Sequence, residues 1–460
     1  MPYQSVNPYS DEVLATFDEL DAAELESALA RARSTYETWR ERGFDERAAV
    51  TRRAARILRE RREEFARLMT LEMGKVIGES IEEVLLTADI FDYYADNAED
   101  FLRPVHLNAR RGDAVVVHSP LGVLFAVQPW NFPYYQLVRF AAPNVMAGNV
   151  VMVKHSSSVP QSALAFERLY REAGAPDGVY TNLFITKEQA ATVIDDPRVR
   201  GVALTGSTEA GAAIATRAGK VVKKTTLELG GSDPLIVLPD ADLGATVHWA
   251  VWGRMHNCGQ SCVASKRLLV HEQIADKFLE EFTAALGTLT AGDPMDERTT
   301  LPPLSSRTAA ERLRAQVAEA VEHGARATEV GDPVPTTGAF VQPTILTEVA
   351  KDNPIYGEEL FGPVAMFFRV GDEAEAIAVA NDTRYGLGAS VFTGDEERGR
   401  EIARHIDSGM VFVNHPTWTS PELPFGGTKD SGYGRELSAL GIQEFVNKKL
   451  IDVVPIDAPP

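Results

Sequence analysis

The sequence is short of cysteine, of positive charge and of long apolar runs, and each shortage removes a class of function. Its 460 residues include two cysteines, Cys258 and Cys262, which are too few for the disulfide framework of a secreted domain. Reactivity is a better reason for at least one of them. Lysine and arginine together number 46 against 66 aspartates and glutamates, a net charge of −20. No basic run with interleaved aromatics offsets this, so nucleic acid is not an expected partner. Arginine greatly outnumbers lysine, and the acidity is spread along the chain. Such a surface suits solubility in high salt and equally an ordinary acidic enzyme. No apolar stretch approaches the roughly 20 residues that span a bilayer. The amino terminus MPYQSVNPYS has neither the basic nor the apolar region of a secretion signal, and a cytoplasmic protein without a membrane partner is expected.

What is present reads as an enzyme-sized globular chain of two or three domains. Asp21 with Glu24 forms a capping pair, and Leu25, Leu29, Ala32, Tyr36 and Trp39 follow at helical spacing, a core-facing stripe within a first hundred residues that read as helical. Short apolar runs then alternate with helical segments: Val123 to Val127, Val150 to Val153, Val202 to Leu204 and Leu235 to Leu238. This rhythm predicts an α/β architecture with a mainly parallel sheet. Ala114 to Val117 lies between charged flanks and suits a protruding strand, as does Lys448 to Val454.

Several segments carry candidate chemistry. Asn257-Cys258-Gly259-Gln260-Ser261-Cys262 is a small-residue stretch that would expose a thiol, although a single cysteine is more often an inert small hydrophobe. The two thiols lack the second pair or spaced histidines of a zinc site, so no metal is expected. Glu228 sits in an apolar run before Gly230 and Gly231, where burial would raise its pKa toward that of a general base; a structural ion pair is the other reading. Pro129-Trp130-Asn131-Phe132-Pro133 follows a predicted strand and pins Asn131 at its carboxyl end, where α/β enzymes build their sites. Its amide suits a developing oxyanion or a plain turn. Thr205-Gly206-Ser207-Thr208-Glu209-Ala210-Gly211, between a strand and a helix, could receive a diphosphate, although it is not the G-x-G-x-x-G pattern.

In this order, together with Glu72-Met73-Gly74-Lys75, Lys154, Glu358-Glu359-Leu360-Phe361-Gly362-Pro363 and Pro424-Phe425-Gly426-Gly427, these segments resemble the aldehyde dehydrogenase superfamily along nearly the whole chain. The resemblance implies that Cys262 adds to an aldehyde and that Asn131 with the Cys262 N–H holds the oxyanion. Hydride passes to a nicotinamide cofactor, and Glu228 activates the water that hydrolyses the thioester. It implies cofactor contacts from Trp130, Lys154, Gly206, Ser207, Glu359 and Phe361. Thiol acceptors such as CoA serve relatives that often lack the glutamate found here at 228, so water is the expected acceptor.

Many NAD-preferring relatives carry a glutamate three residues after the lysine, where it grips the ribose 2′-OH. Here that residue is Ser157, which predicts NADP use, with NAD as a secondary cofactor. Arg139 matches a substrate-carboxylate arginine, and the chain looks most like the bacterial and cyanobacterial succinate-semialdehyde dehydrogenase branch. Ser261 and Ser420 are expected to add hydrogen bonds to the substrate, and His256 stands where some relatives have a second arginine. The alternative substrate is another semialdehyde or a neutral aliphatic aldehyde. Cys258 is a candidate resolving thiol for Cys262, and His155 reads as structural. The implied organisation is a Rossmann-like cofactor domain over 1–230 and a catalytic domain over 231–430. A small β oligomerisation arm would come from 105–120 and 440–456, giving a homodimer or homotetramer.

Overall fold

The computed structural model describes residues 3–457. Met1 and Pro2, where the secretion-signal reading begins, lie outside the described residues. Among the described residues, two large sheets and one small one carry the architecture. The first sheet runs in the order Gly432–Tyr433, Lys224–Glu228, Val199–Thr205, Val123–Val127, Val150–Lys154 and Tyr180–Asn182. All neighbours are parallel except the first pair, in which Gly432 faces Glu228 antiparallel. Its central strands are buried on both faces, which is why they read as unbroken apolar runs rather than as alternating ones.

The second sheet is ordered Arg326–Glu329, Thr344–Thr347, Val364–Val370, Ser265–His271, Asp233–Val237, Ser390–Phe392 and Phe412–Val413. It is parallel apart from its first strand. A separate apolar cluster that includes Leu235, Leu268, Phe278 and Phe367 packs against it. The small sheet is antiparallel: Val446–Val453 pairs with Asp113–Pro120, which pairs with Val105–Leu107. Leu107, Leu450 and Val453 are exposed on it.

The helix Ala22–Trp39 begins with the predicted box: Asp21 accepts from the Ala23 and Glu24 amides, and Glu24 accepts from the Asp21 amide. The reading of the first hundred residues as helical fails for Tyr3–Val6 and Val13–Phe17, which form a hairpin. Its support is tertiary. Tyr3 packs on Phe184 with ring centroids 4.5 Å apart and donates its hydroxyl to the Ile185 carbonyl at 2.9 Å, so no local pattern announces it.

Glu72 explains why the Glu72–Lys75 segment belongs to the pattern without touching chemistry. Its buried carboxylate accepts from the Gln161 and Ser162 amides and the Ser162 hydroxyl at 2.7–2.9 Å, satisfying the first turn of the helix Pro160–Glu172. Burial pushes this carboxyl up to about 7. Glu72→Ala orphans these donors and is expected to lower the unfolding free energy by about 3 kcal/mol, read by urea denaturation.

Candidate active site

Asn131 lies between the strand Val123–Val127 and the helix Pro133–Met146, where Pro133 fits the first helical position because it has no N–H to leave unpaired. Two buried groups hold this loop. The His155 ring nitrogens lie 3.2 and 3.1 Å from the Gln128 and Pro133 carbonyls, and burial pushes the imidazole down to about 4, so it is neutral. Glu83 accepts from the Tyr134 and Tyr135 amides at 2.9 and 3.0 Å, capping the helix, and pairs with buried Lys75. The Lys75 ammonium in turn sits 3.8 Å from the Phe132 ring centroid.

The loop that carries Cys262 is pinned by the same segment. Asn257 and Cys258 both have φ of 53°, an uncommon conformation outside glycine that marks a constrained turn. The Gln260 carbonyl accepts from the side-chain amides of both Asn131 and Asn257 at 3.1 Å, and Asn257 also donates to the Asn131 carbonyl at 2.8 Å. Asn131 is thereby fixed two residues before Cys262. From the other side, buried Lys266 donates to the Ser261 and Cys262 carbonyls at 2.7 and 2.9 Å and stands 3.2 Å from Glu359. Lys266 and Asn257 were not among the expected residues; a lysine two positions before the apolar run Leu268–Val270, four positions after Cys262, was the available signal.

Cys258 does not fit the resolving role. It is 1% exposed, bonded to the Pro302 carbonyl at 3.2 Å and packed in the core of the second sheet, whereas Cys262 packs against the core of the first. Burial also pushes its thiol well above the ordinary range, so this cysteine is structural.

Glu228 ends the strand Lys224–Glu228. It is 3% exposed, and neither carboxylate oxygen has a hydrogen-bond partner among the described residues. A Cβ on Gly426, whose φ is 153°, would come within 2.7 Å of one of these oxygens, so glycine is required where the Pro424–Gly427 turn passes the carboxylate. Burial raises Glu228 well above the usual carboxylate range, opposed by Arg139. Burial likewise pushes the Cys262 thiol up to about 12, against the pull of Arg139 and Lys266.

Arg139 reaches the cavity as expected but is already partnered there. It lines the cavity at Cys262, but it is 1% exposed and already has a carboxylate, an ion pair with buried Glu436. It also donates to the Gln136 oxygen at 2.7 Å and the Tyr135 hydroxyl at 3.3 Å. Its guanidinium lies between the Tyr135 and Phe425 rings, 4.9 and 4.4 Å from their centroids. Among the described residues lining the cavity Arg139 is the one arginine, and its charge is already paired. Glu436 was missed; an acid in the glycine-rich stretch after Gly426-Gly427 was its only trace. Ser261 lines the cavity, but Ser420 does not; its neighbours Thr417 and Thr419 do, and the Thr419 hydroxyl is 2.7 Å from that of Tyr135.

The residues expected to meet the cofactor gather at the carboxyl edge of the first sheet, the usual place for a nucleotide in such sheets. Lys154 ends one strand, Gly206 follows another and donates to the Glu228 carbonyl at 2.9 Å, and Ser207 caps the helix Thr208–Lys220. Free amides at that helix start suit a diphosphate. Ser157 is exposed beside Lys154, whose charged neighbours are Glu19 and Lys187. Trp130 packs edge-on against Phe361 at 5.8 Å, and Glu359 accepts from the Gly231 amide at 3.1 Å. The Lys154 ammonium and the amides at the start of the helix Thr208–Lys220 are donors of the kind a nicotinamide dinucleotide needs, and these residues would hold it. No group of metal-ligating side chains occurs among the described residues.

Raised pKa values for both Cys262 and Glu228 mean that the ionised pair grows with pH, so kcat/KM is expected to rise from neutral into alkaline solution. Arg139→Gln removes a cation that favours both ionised forms and moves this limb to higher pH; Glu436→Gln leaves Arg139 uncompensated and moves it lower. An arginine serving the substrate alone would change KM and leave the limb in place.

The aldehyde dehydrogenase family profile matches residues 1–451. The chain is 49% identical over 459 residues to a succinate-semialdehyde dehydrogenase [NADP(+)] of Deinococcus radiodurans, covering 100% of this chain and 96% of that one. It is 43% identical over 454 residues to succinate-semialdehyde dehydrogenase [NADP(+)] 1 of Mycobacterium tuberculosis, covering 98% and 99%. The solved structure of succinic semialdehyde dehydrogenase from Streptococcus pyogenes in complex with NADP+ superposes with a TM-score of 0.97 at 47% identity, over 98% of this chain and 100% of that chain. By family match, whole-length relatives and fold, the chain belongs to the aldehyde dehydrogenase family.

Proposed function

We propose that this chain oxidises succinic semialdehyde to succinate with NADP as hydride acceptor, through covalent catalysis at Cys262. The observation that carries the chemistry is the buried Glu228 carboxyl, without partners and under the same Arg139 charge as the Cys262 thiol. A buried carboxyl without hydrogen bonds is costly to keep and calls for a functional reason. The substrate assignment is supported by the names of the whole-length relatives.

Cys262 as thiolate adds to the aldehyde carbon, and the oxyanion is held by its own N–H and the Asn131 amide. Bound nicotinamide supplies the acceptor for the hydride that leaves this carbon. Glu228 then takes a proton from the water that cleaves the thioester, releasing the acid and restoring the thiol. The substrate carboxylate is received by the Tyr135 and Thr419 hydroxyls, with the Arg139 charge behind Tyr135 rather than in direct contact. Lys154 and Ser157 take the adenosine ribose and its 2′-phosphate, Trp130, Gly206 and Ser207 the diphosphate, and Glu359 with Phe361 the nicotinamide end. Residues 1–230 act as the cofactor domain and 231–430 as the catalytic domain. The exposed Val446–Val453 edge joins another copy in a homodimer or homotetramer, since unpaired strand edges seek partners.

Initial rates decide this reading. Succinic semialdehyde with NADP is expected to give the higher kcat/KM than with NAD and than propanal with NADP; equal or reversed values would overturn the cofactor or the substrate assignment respectively. Ser157→Glu places a carboxylate against the 2′-phosphate and is expected to lower kcat/KM for NADP by about 100-fold while that for NAD rises.

A further inference from the structure

The hairpin of Tyr3–Val6 and Val13–Phe17 takes no part in the chemistry at Cys262, but its first strand runs along the segment that carries Lys154 and Ser157. The Lys154 ammonium stands 5.3 Å from the centroid of the Tyr3 ring. The next residue, Gln4, donates its backbone N–H to the Ser157 carbonyl at 3.0 Å. Ser5 then accepts from the side-chain amide of Gln161 at 3.0 Å, in the first turn of the helix Pro160–Glu172.

The Tyr3 ring is fixed by its own contacts. It is buried, Phe184 packs on it with centroids 4.5 Å apart, and Phe17 packs on Phe184 at 5.5 Å. Its hydroxyl donates to the Ile185 carbonyl at 2.9 Å and accepts from the Ile185 amide at 3.2 Å. Phe184 and Ile185 follow the strand Tyr180–Asn182, the neighbour of Val150–Lys154 in the first sheet, so the ring is anchored at the carboxyl edge beside Lys154. A lysine is a point charge on a flexible stem, which loses rotamer freedom when it settles on a phosphate. A ring facing the ammonium restrains it beforehand and leaves its charge intact. The gain depends on the charge that the cation meets, and a 2′-phosphate attracts it far more strongly than a neutral 2′-hydroxyl does.

We propose that Tyr3 is a positioning residue for the 2′-phosphate of NADP, its ring setting the place of the Lys154 ammonium while the strand it begins holds the Ser157 turn by the Gln4 N–H. This rests on the reading of Lys154 and Ser157 as the 2′-phosphate contacts. Tyr3 acts through Lys154 and not on the ligand. A role confined to stability would weaken binding of nucleotides with and without the 2′-phosphate alike, whereas a role in placing the cation shows in the ratio of the two.

The test measures, by calorimetry on the whole protein, the dissociation constants of adenosine 2′,5′-bisphosphate and of AMP, which differ only in the 2′-phosphate, for the wild type and for Tyr3→Phe, Tyr3→Leu and Tyr3→Met. The first variant keeps the ring and loses only the hydroxyl bonds to Ile185. The other two lose the ring, and the flexible chain of the third fills the space should the second fail to fold. The wild type is expected to bind the bisphosphate more tightly than AMP and Tyr3→Phe to keep that ratio, while the two ringless variants lower it by about 10-fold, the scale of a partly desolvated cation–ring contact. In the same variants KM for NADP rises and kcat at saturating NADP holds, as when binding common to the ground and transition states is lost. A wild-type preference that is unmoved in the folded ringless variants, or lowered as much by Tyr3→Phe, would overturn this inference alone. Equal affinities in the wild type would overturn the 2′-phosphate reading of Lys154 and Ser157, and this inference with it.

Discussion

The Arg139–Glu436 ion pair lies where the helix that follows Asn131 meets the returning carboxy-terminal segment, and the charges of the site depend on it. Glu436 reaches this place because its backbone exchanges two 2.8 Å hydrogen bonds with Phe425, whose ring covers the guanidinium. A buried pair of this kind is expensive to break, since one lost partner leaves an uncompensated charge in a low-dielectric interior. Burial raises both the Cys262 thiol and the Glu228 carboxyl, and Glu436 offsets part of the Arg139 charge that pulls them the other way. The cation nevertheless stands near enough to favour either group when it ionises. In the proposed reading the pair tunes Cys262 and Glu228, and the substrate carboxylate meets it through the Tyr135 and Thr419 hydroxyls.

Around that pair, the two large sheets are joined by contacts to the loop that carries Cys262. The first sheet contributes Asn131, whose amide reaches the Gln260 carbonyl, and Glu228, whose carbonyl receives Gly206. The second contributes Lys266, which holds the carbonyls of Ser261 and Cys262 and draws Glu359 toward them. The backbone around Cys262 is held from both sides by buried side chains, the Asn131 amide on the Gln260 carbonyl and the Lys266 ammonium on the Ser261 and Cys262 carbonyls. This is the preorganisation that covalent catalysis needs, because an aligned nucleophile has already lost the freedom that reaction would otherwise remove.

The parts of this arrangement that were legible in the sequence are the local ones. Asp21 with Glu24 announces a helix start because both bonds span three residues, and Val123 to Val127 announces a buried strand because both faces are apolar. Cys262, Glu228 and Asn131 stood out through their immediate neighbours and their order along the chain. Glu436 did not, because its meaning lies in Arg139, almost three hundred positions away. The same distance hid the ion pair of Arg139, whose spacing from Asn131 is visible while its partner is not. Ser420 stands next to Thr419, which lines the cavity, rather than on the lining itself, since a loop gives no periodicity from which to read side-chain direction. Cys258 looked like a companion of Cys262 by proximity, but the left-handed turn at Asn257 and Cys258 sends it into the other core.

The central claim is that Cys262 carries the acyl group and Glu228 releases it. Peptide mass spectrometry of Glu228→Gln, quenched after mixing with succinic semialdehyde and NADP, measures this directly. The account predicts a succinyl mass on the peptide containing Cys262, present in the variant and far scarcer in the wild type. An unmodified Cys262 peptide in a variant that has formed NADPH would contradict it.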